Sequence, residues 1–425
     1  MKHSKKYILI LLICLITLIT GAVIFKLSSS KSIDISKNNL TQKQMLTDFH
    51  YLYEILEKNY ANFDVCKRLY GYDWLAHKKE FEKLVLSSKN NIEFYNNINL
   101  ILNKENDGHL TLFPPEMSKE MLDLYSKNLD IVNYQSWVDI LGNKNVITKN
   151  NQWLNLFIKE LPAYKNYKNT NENSYDYVKN NGDNNNVQYD ILEYQKIAYL
   201  RINSFRDEYI DIDRTKIYDF LSGIRNFPYL IVDIRGNGGG STNYWGENVV
   251  TPLINEKISV KNFTLIKREK YSLDFYKAVA NSINIKISPI SELPSNSNYP
   301  SETYEKFNYF ATYKTEMEPE KYPLGFKGKI YLLIDNNVFS SSEGFAAFAK
   351  ASKWATLVGS KTAGDGTGID PIVMSLPNSG LVIRFKGELS LNPDGTSSLE
   401  FGTRPDIEVD PKSDLKTIIK KLNIR

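Results

Sequence analysis

Cysteine is scarce in this sequence. Of 425 residues only Cys14 and Cys66 are cysteines, one inside an apolar N-terminal run and one beyond it. No internal disulfide is therefore expected, and zinc sites built from cysteine clusters are excluded. No metal and no organic cofactor are implied, so stability has to come from the hydrophobic core.

Net charge and histidine are also sparse. The formal charge is only +4, there is no block of lysine and arginine, and there are four histidines. Nucleic-acid binding therefore has little support. A hydrophobic content of 42% and a charged content of 24% are typical of an ordinary globular protein, and the length allows two or three domains.

The longest apolar run lies at the N-terminus. Lys2, Lys5 and Lys6 precede an uncharged stretch from Tyr7 to Phe25, which as a helix would span about 28 Å, close to the hydrocarbon thickness of a bilayer. The basic flank predicts a single-pass cell-membrane anchor with the rest of the chain extracytoplasmic. A cleaved signal peptide, giving a secreted protein, is the alternative, but the small-residue site near Gly21 is poor.

The rest of the chain predicts an α/β protein with a helical N-terminal subdomain. Four short apolar runs alternate with helical patterns, as in an α/β domain, beginning at Ile197, Tyr229, Ile330 and Thr356. The predicted segments are an anchor or signal (1–26), a tether (27–39), the helical subdomain (40–125), a polar insertion (126–188), the α/β core (189–415) with its own insertion (262–322), and a C-terminal tail (416–425).

Three serines stand where a predicted strand passes into a predicted helix. Ser340-Ser-Ser-Glu343 follows an apolar run and precedes an Ala/Phe-rich segment. Free backbone N–H groups and the positive end of the helix dipole meet at such a junction, which suits a serine nucleophile. The same letters also fit a capping box between Ser340 and Glu343, which needs no chemistry.

A glycine-rich turn follows another predicted strand. Arg235-Gly-Asn-Gly-Gly-Gly240 lacks the spacing of a dinucleotide-binding fingerprint. Its backbone N–H groups are open to a ligand because no side chain blocks them. A tight turn is the structural alternative. Beside Ser340, the turn becomes a candidate oxyanion hole.

Four ordered motifs together resemble the carboxy-terminal-processing (tail-specific) serine peptidase family. They run from Ile231 to Gly240, from Ser340 to Glu343, from Thr356 to Thr362 and from Gly402 to Ile407. The resemblance covers about half of the chain and implies a crotonase-like core and peptide-bond hydrolysis. It also favours Ser340 as the nucleophile.

The sequence departs from one branch of this family. Where the bacterial tail-processing enzymes place a base lysine between glycines, this chain has Ala363-Gly-Asp-Gly366. An acid at Asp365 cannot act as the amine base, so Ser–Lys catalysis is not expected. Changing Asp365 is predicted to matter little.

The tricorn-like branch of the family implies a different base. Its histidine corresponds to His109 in Asp107-Gly-His109, and its glutamate corresponds to Glu400. The resemblance therefore implies a Ser340, His109 and Glu400 centre, with Asp107 as the rival partner of the histidine. A serine that this branch places before the histidine is replaced by Gly108.

The oxyanion is expected to be held by the backbone N–H groups of Gly238 or Gly239 and of Ser341. The function predicted is a membrane-anchored serine peptidase. Substrate choice would rest on the helical subdomain and on insertion 262–322, because no PDZ-like module is apparent in residues 120–190. The alternatives are an inactive family member that binds a peptide or apolar ligand, and a surface interaction protein.

Overall fold

The computed structural model describes residues 34–161, 164 and 186–424. The predicted N-terminal anchor and most of the polar stretch before Asn186 lie outside these residues. Among the helices within the described ranges, none is both long enough and apolar enough to cross a membrane.

The N-terminal part is mainly helical, as predicted. Its first helix starts with a capping box in which the side chains of Thr41 and Gln44 each bond the other's backbone N–H. The elements are α1 (Gln42–Asn59), α2 (Phe63–Tyr70), α3 (Lys78–Leu86), α4 (Asn91–Asn103), β1 (Thr111–Leu112), α5 (Pro115–Lys127), α6 (Gln135–Leu141) and α7 (Lys144–Glu160).

The second part mixes strands and helices, so the chain is a mixed α/β protein, as predicted. The elements are β2 (Val187–Glu193), β3 (Ile197–Ile202), α8 (Ile210–Gly223), β4 (Tyr229–Asp233), α9 (Thr242–Trp245), β5 (Ile258–Ile266), α10 (Lys270–Ala280), β6 (Lys286–Pro289), α11 (Thr303–Lys306), β7 (Tyr309–Met317), β8 (Lys329–Ile334), α12 (Ser341–Ser352), β9 (Thr356–Gly359), β10 (Ile372–Ser375), β11 (Val382–Phe385), β12 (Glu388–Leu391), α13 (Ser398–Phe401), β13 (Ile407–Glu408) and α14 (Leu415–Leu422).

A six-stranded sheet in the order β13-β9-β8-β4-β3-β2 forms the centre of this part. All neighbours are parallel except β2 and β3. The four apolar runs singled out in the sequence are its strands β3, β4, β8 and β9. Leu230 and Val232 of β4 pack on one side with α8 and α12, whereas Ile231 packs on the other side with α14. Burial on both faces explains why these strands are continuously apolar.

Two smaller antiparallel sheets complete the fold. One has the order β12-β5-β7-β6 and the other the order β1-β11-β10. The second sheet packs with the N-terminal helices in one large apolar cluster. The strand β1, which follows the loop carrying His109, pairs with β11 through Thr111 and Arg384. This pairing ties the helical part of the chain to the segment that carries Asp365.

Several segments that look irregular in the sequence are ordered elements. The polar insertion (126–188) includes α6 and α7, which fully bury Trp137 and Trp153. Insertion 262–322 supplies β6, all of β7 and the end of β5. Residues from 416 onward continue α14, and Ile35 of the expected tether is buried. A few large apolar side chains anchor each of these polar stretches, and their spacing is too sparse for a periodic signal.

Candidate active site

Ser340 stands at a strained corner between β8 and α12. Its backbone has φ 57° and ψ −129°, in the left-handed half of conformational space that non-glycine residues rarely adopt. The Ser340 side chain makes no capping hydrogen bond. The carboxylate of Glu343 accepts instead from the Thr403 hydroxyl at 2.7 Å. The capping-box interpretation is therefore wrong.

The three consecutive serines have different partners. The Ser342 hydroxyl donates to Asn237 Oδ1 at 2.7 Å, and the Ser341 hydroxyl accepts from the indole N–H of Trp245 at 3.1 Å. Both side chains belong to buried residues. Only the Ser340 hydroxyl lies against an imidazole, with its oxygen 3.0 Å from His109 Nε2.

His109 is held by the loop that follows α4. Asp107 Oδ1 accepts the backbone N–H of His109 at 2.8 Å, and the imidazole packs against the Phe339 ring with centroids 4.5 Å apart. A side chain at Gly108 would place its Cβ 2.9 Å from the Phe339 ring. This close approach explains why a glycine precedes the histidine.

The other imidazole nitrogen contacts Asp365. His109 Nδ1 lies 2.6 Å from Asp365 Oδ2, and both residues are almost fully buried. Burial alone would raise the pKa of Asp365, but the positive charges of Lys386 and His109 outweigh it and leave the pKa below its usual value. An ionised carboxylate only accepts hydrogen bonds, so Nδ1 carries the proton and Nε2 is free to accept one from Ser340.

Glu400, which was expected to act on His109 directly or through a bridging group, makes no direct contact with the imidazole. Arg68 Nη2 donates to its carboxylate at 2.7 Å, and Arg68 Nη1 donates to Glu302 at 2.9 Å. The arginine therefore joins α2 to α13 and to the segment before α11. The rival residue Asp107 also misses the ring: it accepts from the Tyr60 hydroxyl at 2.5 Å and from the His109 backbone.

The prediction that Asp365 matters little conflicts with this geometry. In the sequence Asp365 only replaces the lysine base of the related branch, whereas in the structure its carboxylate accepts from the imidazole of His109. Its position between glycines, where the related branch keeps a catalytic group, was the available signal. Asp365 has φ 58°, a left-handed conformation that aspartate tolerates better than most residues.

The predicted oxyanion donors are brought together only in part. A Cβ on Gly239 would lie 2.9 Å from Ser340 Cβ and 3.1 Å from the Ser341 nitrogen, so the glycine turn packs directly on the serine corner. The Gly239 N–H already donates to Asn237 Oδ1 at 3.0 Å. Among the described residues, the N–H groups of Gly238 and Ser341 have no such acceptor. Gly238 therefore fits the role better than Gly239.

Three buried residues could supply ligands to a metal ion. Ligand atoms of Asp107, His109 and Asp365 all lie within 4.8 Å of one another. Each of these groups already has a hydrogen-bond partner in the protein: Tyr60 for Asp107, and Ser340 and Asp365 for the two imidazole nitrogens. Asp365 Oδ1, in contrast, is buried without a hydrogen-bond partner among the described residues.

Glu105 is a second buried acid beside this loop, and it allows a prediction about stability. Burial raises its pKa to about 9. At pH values between the unfolded pKa near 4.5 and this folded value, Glu105 is ionised in the unfolded chain but protonated in the folded chain. The free energy of unfolding should therefore fall as the pH rises through this window, by roughly 1 kcal/mol per pH unit. In Glu105→Gln this fall should be reduced.

Denaturant titrations at pH 6 and pH 8 measure the effect. The exposed residue Glu57 on α1 supplies the matched control variant, Glu57→Gln, which should keep the wild-type slope. An unchanged pH dependence in Glu105→Gln would show that Glu105 is already ionised in the folded protein.

Comparison with solved structures finds proteins of similar fold. A solved structure of a candidate peptidase from Parabacteroides merdae ATCC 43184 is 18% identical, with 90% of this chain and 93% of that chain covered at a TM-score of 0.51. A CPAF mutant is 14% identical, with 89% and 95% covered, also at 0.51. At these identities the likeness concerns the fold. No curated protein sequence matches the chain.

The family is settled by the sequence itself. The model of peptidase family S41 matches residues 196–409, half of the chain. This region contains the glycine turn, the serine corner and Asp365. His109 lies outside it, in the helical part. The chain belongs to peptidase family S41 and is a serine-type peptidase that acts on peptide or protein substrates.

Proposed function

We propose that this protein is a membrane-anchored, extracytoplasmic peptidase in which Ser340 is the nucleophile, His109 the base and Asp365 the residue that orients the base. The proposal rests on one observation, the continuous chain of contacts from Ser340 through His109 to Asp365 at 3.0 and 2.6 Å. The central sheet, with helices on both faces, is compatible with the crotonase-like core that the family resemblance implies.

The chemistry follows from these contacts. Ser340 Oγ attacks the peptide carbonyl while His109 Nε2 takes the hydroxyl proton, and the Asp365 carboxylate stabilises the resulting imidazolium. The N–H groups of Gly238 and Ser341 donate to the oxyanion. His109 then gives the proton to the leaving amine. Water activated by the same imidazole hydrolyses the acyl-enzyme and frees Ser340.

A cavity that reaches Gly366, although none of Ser340, His109 and Asp365 lines it, is a candidate site for substrate side chains. It has a volume of about 510 Å³ and is lined by Gly344 of α12, Gly366 and Thr367 next to Asp365, and Trp245 and Phe348 at its apolar part. Asn262 and residues 313–318 also line it. Insertion 262–322, which we expected to take part in substrate choice, thus contributes to the wall.

A fluorophosphonate probe tests the proposed function directly. Wild-type protein should be labelled on Ser340, identified by peptide mass spectrometry, because the neutral His109 activates the hydroxyl. His109→Gln should lose labelling by at least about 100-fold, since general-base assistance is typically of that size. His50→Gln is the matched control, because His50 is exposed and pairs with Glu82 on the helical surface. Equal labelling of His109→Gln and wild type would contradict the proposal.

The membrane anchor is a separate part of the proposal, supported by the basic residues and the apolar run from Tyr7 to Phe25. Full-length protein should sediment with the membrane fraction and be digested by protease added outside intact cells or protoplasts. A variant lacking residues 2–26 should remain in the cytosol. A mature N-terminus beyond residue 22 would instead establish a cleaved signal peptide, and protection from external protease would contradict the orientation.

A further inference from the structure

A buried ion pair lies directly behind Asp365. Lys386 Nζ is 2.7 Å from Glu388 Oε1 and 4.0 Å from Asp365 Oδ1. All three residues are 2% exposed or less. The contacts at Ser340, His109 and Asp365 do not require this pair, and burying two further charges is costly unless they are well paired and hydrogen-bonded.

The pair holds the loop that carries Asp365. Lys386 Nζ donates to the carbonyl oxygen of Thr367 at 3.0 Å, and the Ile369 N–H donates to Glu388 Oε1 at 3.1 Å. Between these two bonds, a Cβ on Gly368 would lie 2.0 Å from Glu388 Oε1. The loop is therefore packed closely against the pair, and Asp365 is positioned by contacts on the side away from His109.

Two buried tyrosines near the pair are neutral in the working range of a histidine base. Burial raises the pKa of the Tyr313 phenol to about 12, and it raises that of Tyr276 still further above its usual value. The Tyr313 hydroxyl accepts the Gly368 N–H at 2.5 Å. The charges behind Asp365 are those of Lys386 and Glu388, and burial raises the pKa of Glu388 although Lys386 opposes the rise. Two further acids face the site: Asp107 lies beside the imidazole, and Glu343 packs against Gly366 with its pKa raised by burial to about 7.

We propose that Lys386 and Glu388 are positioning residues for the Ser340, His109 and Asp365 centre, fixing the Asp365 loop and keeping the buried charge behind His109 at one negative unit. Lys386 keeps Asp365 ionised, because two neighbouring buried carboxylates without a cation would share a proton. Glu388 balances Lys386, so the negative charge of Asp365 still favours the imidazolium formed during catalysis. This inference rests on the proposed function.

The pH dependence of labelling by the fluorophosphonate probe separates charge from structure. In Glu388→Gln the amide oxygen still accepts from Lys386 and Ile369, but the charge behind His109 becomes zero. The imidazolium is then less favoured, so the acid limb of the rate–pH profile should move to lower pH by roughly half a unit to one unit. Labelling at the optimum should fall by about tenfold.

Combining Lys386→Met with Glu388→Gln returns the charge to one negative unit. The acid limb should therefore return to the wild-type position even though the double variant has lost more contacts. Lys149→Met, which changes a buried lysine of α7, is the matched control and should leave the limb in place. Thermal unfolding of each variant checks that the fold is retained.

The outcomes are distinguishable. A limb that stays in place in Glu388→Gln, or that moves further from the wild-type position in the double variant, would overturn the charge role of the pair. Loss of Ser340 labelling in wild-type protein would instead contradict the proposed function itself.

Discussion

Replacing Ser340 by alanine is expected to lower kcat by about a million-fold, the size seen when the nucleophile of a serine peptidase is removed. The reason is that Ser340 is the serine whose hydroxyl contacts the imidazole, at 3.0 Å. Hydrolysis of a quenched fluorescent peptide library measures the loss. The strained backbone at φ 57° should tolerate the change, because alanine keeps the Cβ that already packs near Gly239.

The neighbouring serines are the matched controls. Ser341→Ala and Ser342→Ala remove hydroxyls that bond Trp245 and Asn237. Ser341→Ala leaves the buried indole N–H of Trp245 without its acceptor and should cost about 1–3 kcal/mol of stability. Ser342→Ala should cost less, because Asn237 Oδ1 still accepts from the Gly239 N–H. Activity at a temperature where the variants are folded should stay within about tenfold of wild type. Full activity in Ser340→Ala, or loss of activity only in Ser342→Ala, would show that Ser340 is not the nucleophile.

The second large effect is expected at Asp365. Asp365→Asn should lower kcat by about ten thousand-fold with little change in the fold, as when the triad acid of a serine peptidase becomes an amide. The amide nitrogen of asparagine can donate to Nδ1, which favours the tautomer with the proton on Nε2. That nitrogen then no longer accepts the proton of Ser340.

Glu400→Gln is the control that separates the two candidate acids. Its carboxylate pairs with Arg68, so the change should weaken an ion pair at the edge of the site and reduce kcat by less than about tenfold. Steady-state kinetics of both variants on the same peptide decide between them. A severe loss in Glu400→Gln together with near-normal Asp365→Asn would restore the arrangement first expected from the sequence.

Local features of the chain identified much of the candidate site. The serine corner depends on a strand, a turn and a helix that follow one another within about twenty residues. The local sequence therefore predicts its geometry. The glycine turn after β4 is equally local. His109 stood out because histidine is rare in this sequence and the family resemblance pointed to its position.

The carboxylate that contacts His109 could not be predicted from local sequence features. His109 and Asp365 are separated by 256 positions. Their contact depends on the pairing of β1 with β11 and on the loop held by Lys386 and Glu388. Glu400, in turn, forms an ion pair with Arg68, which lies 332 positions away in the sequence. Nothing near Glu400 in the sequence indicates that an arginine from the helical part will reach it.

The sequence by itself determined the α/β class, the serine corner and the glycine turn, because each depends on residues that are close along the chain. Tertiary structure alone decided which carboxylate lies against the imidazole and which backbone N–H groups remain without an acceptor. These outcomes depend on ångström-scale distances between elements whose packing is set by the whole core, and short-range sequence patterns carry no information about such distances.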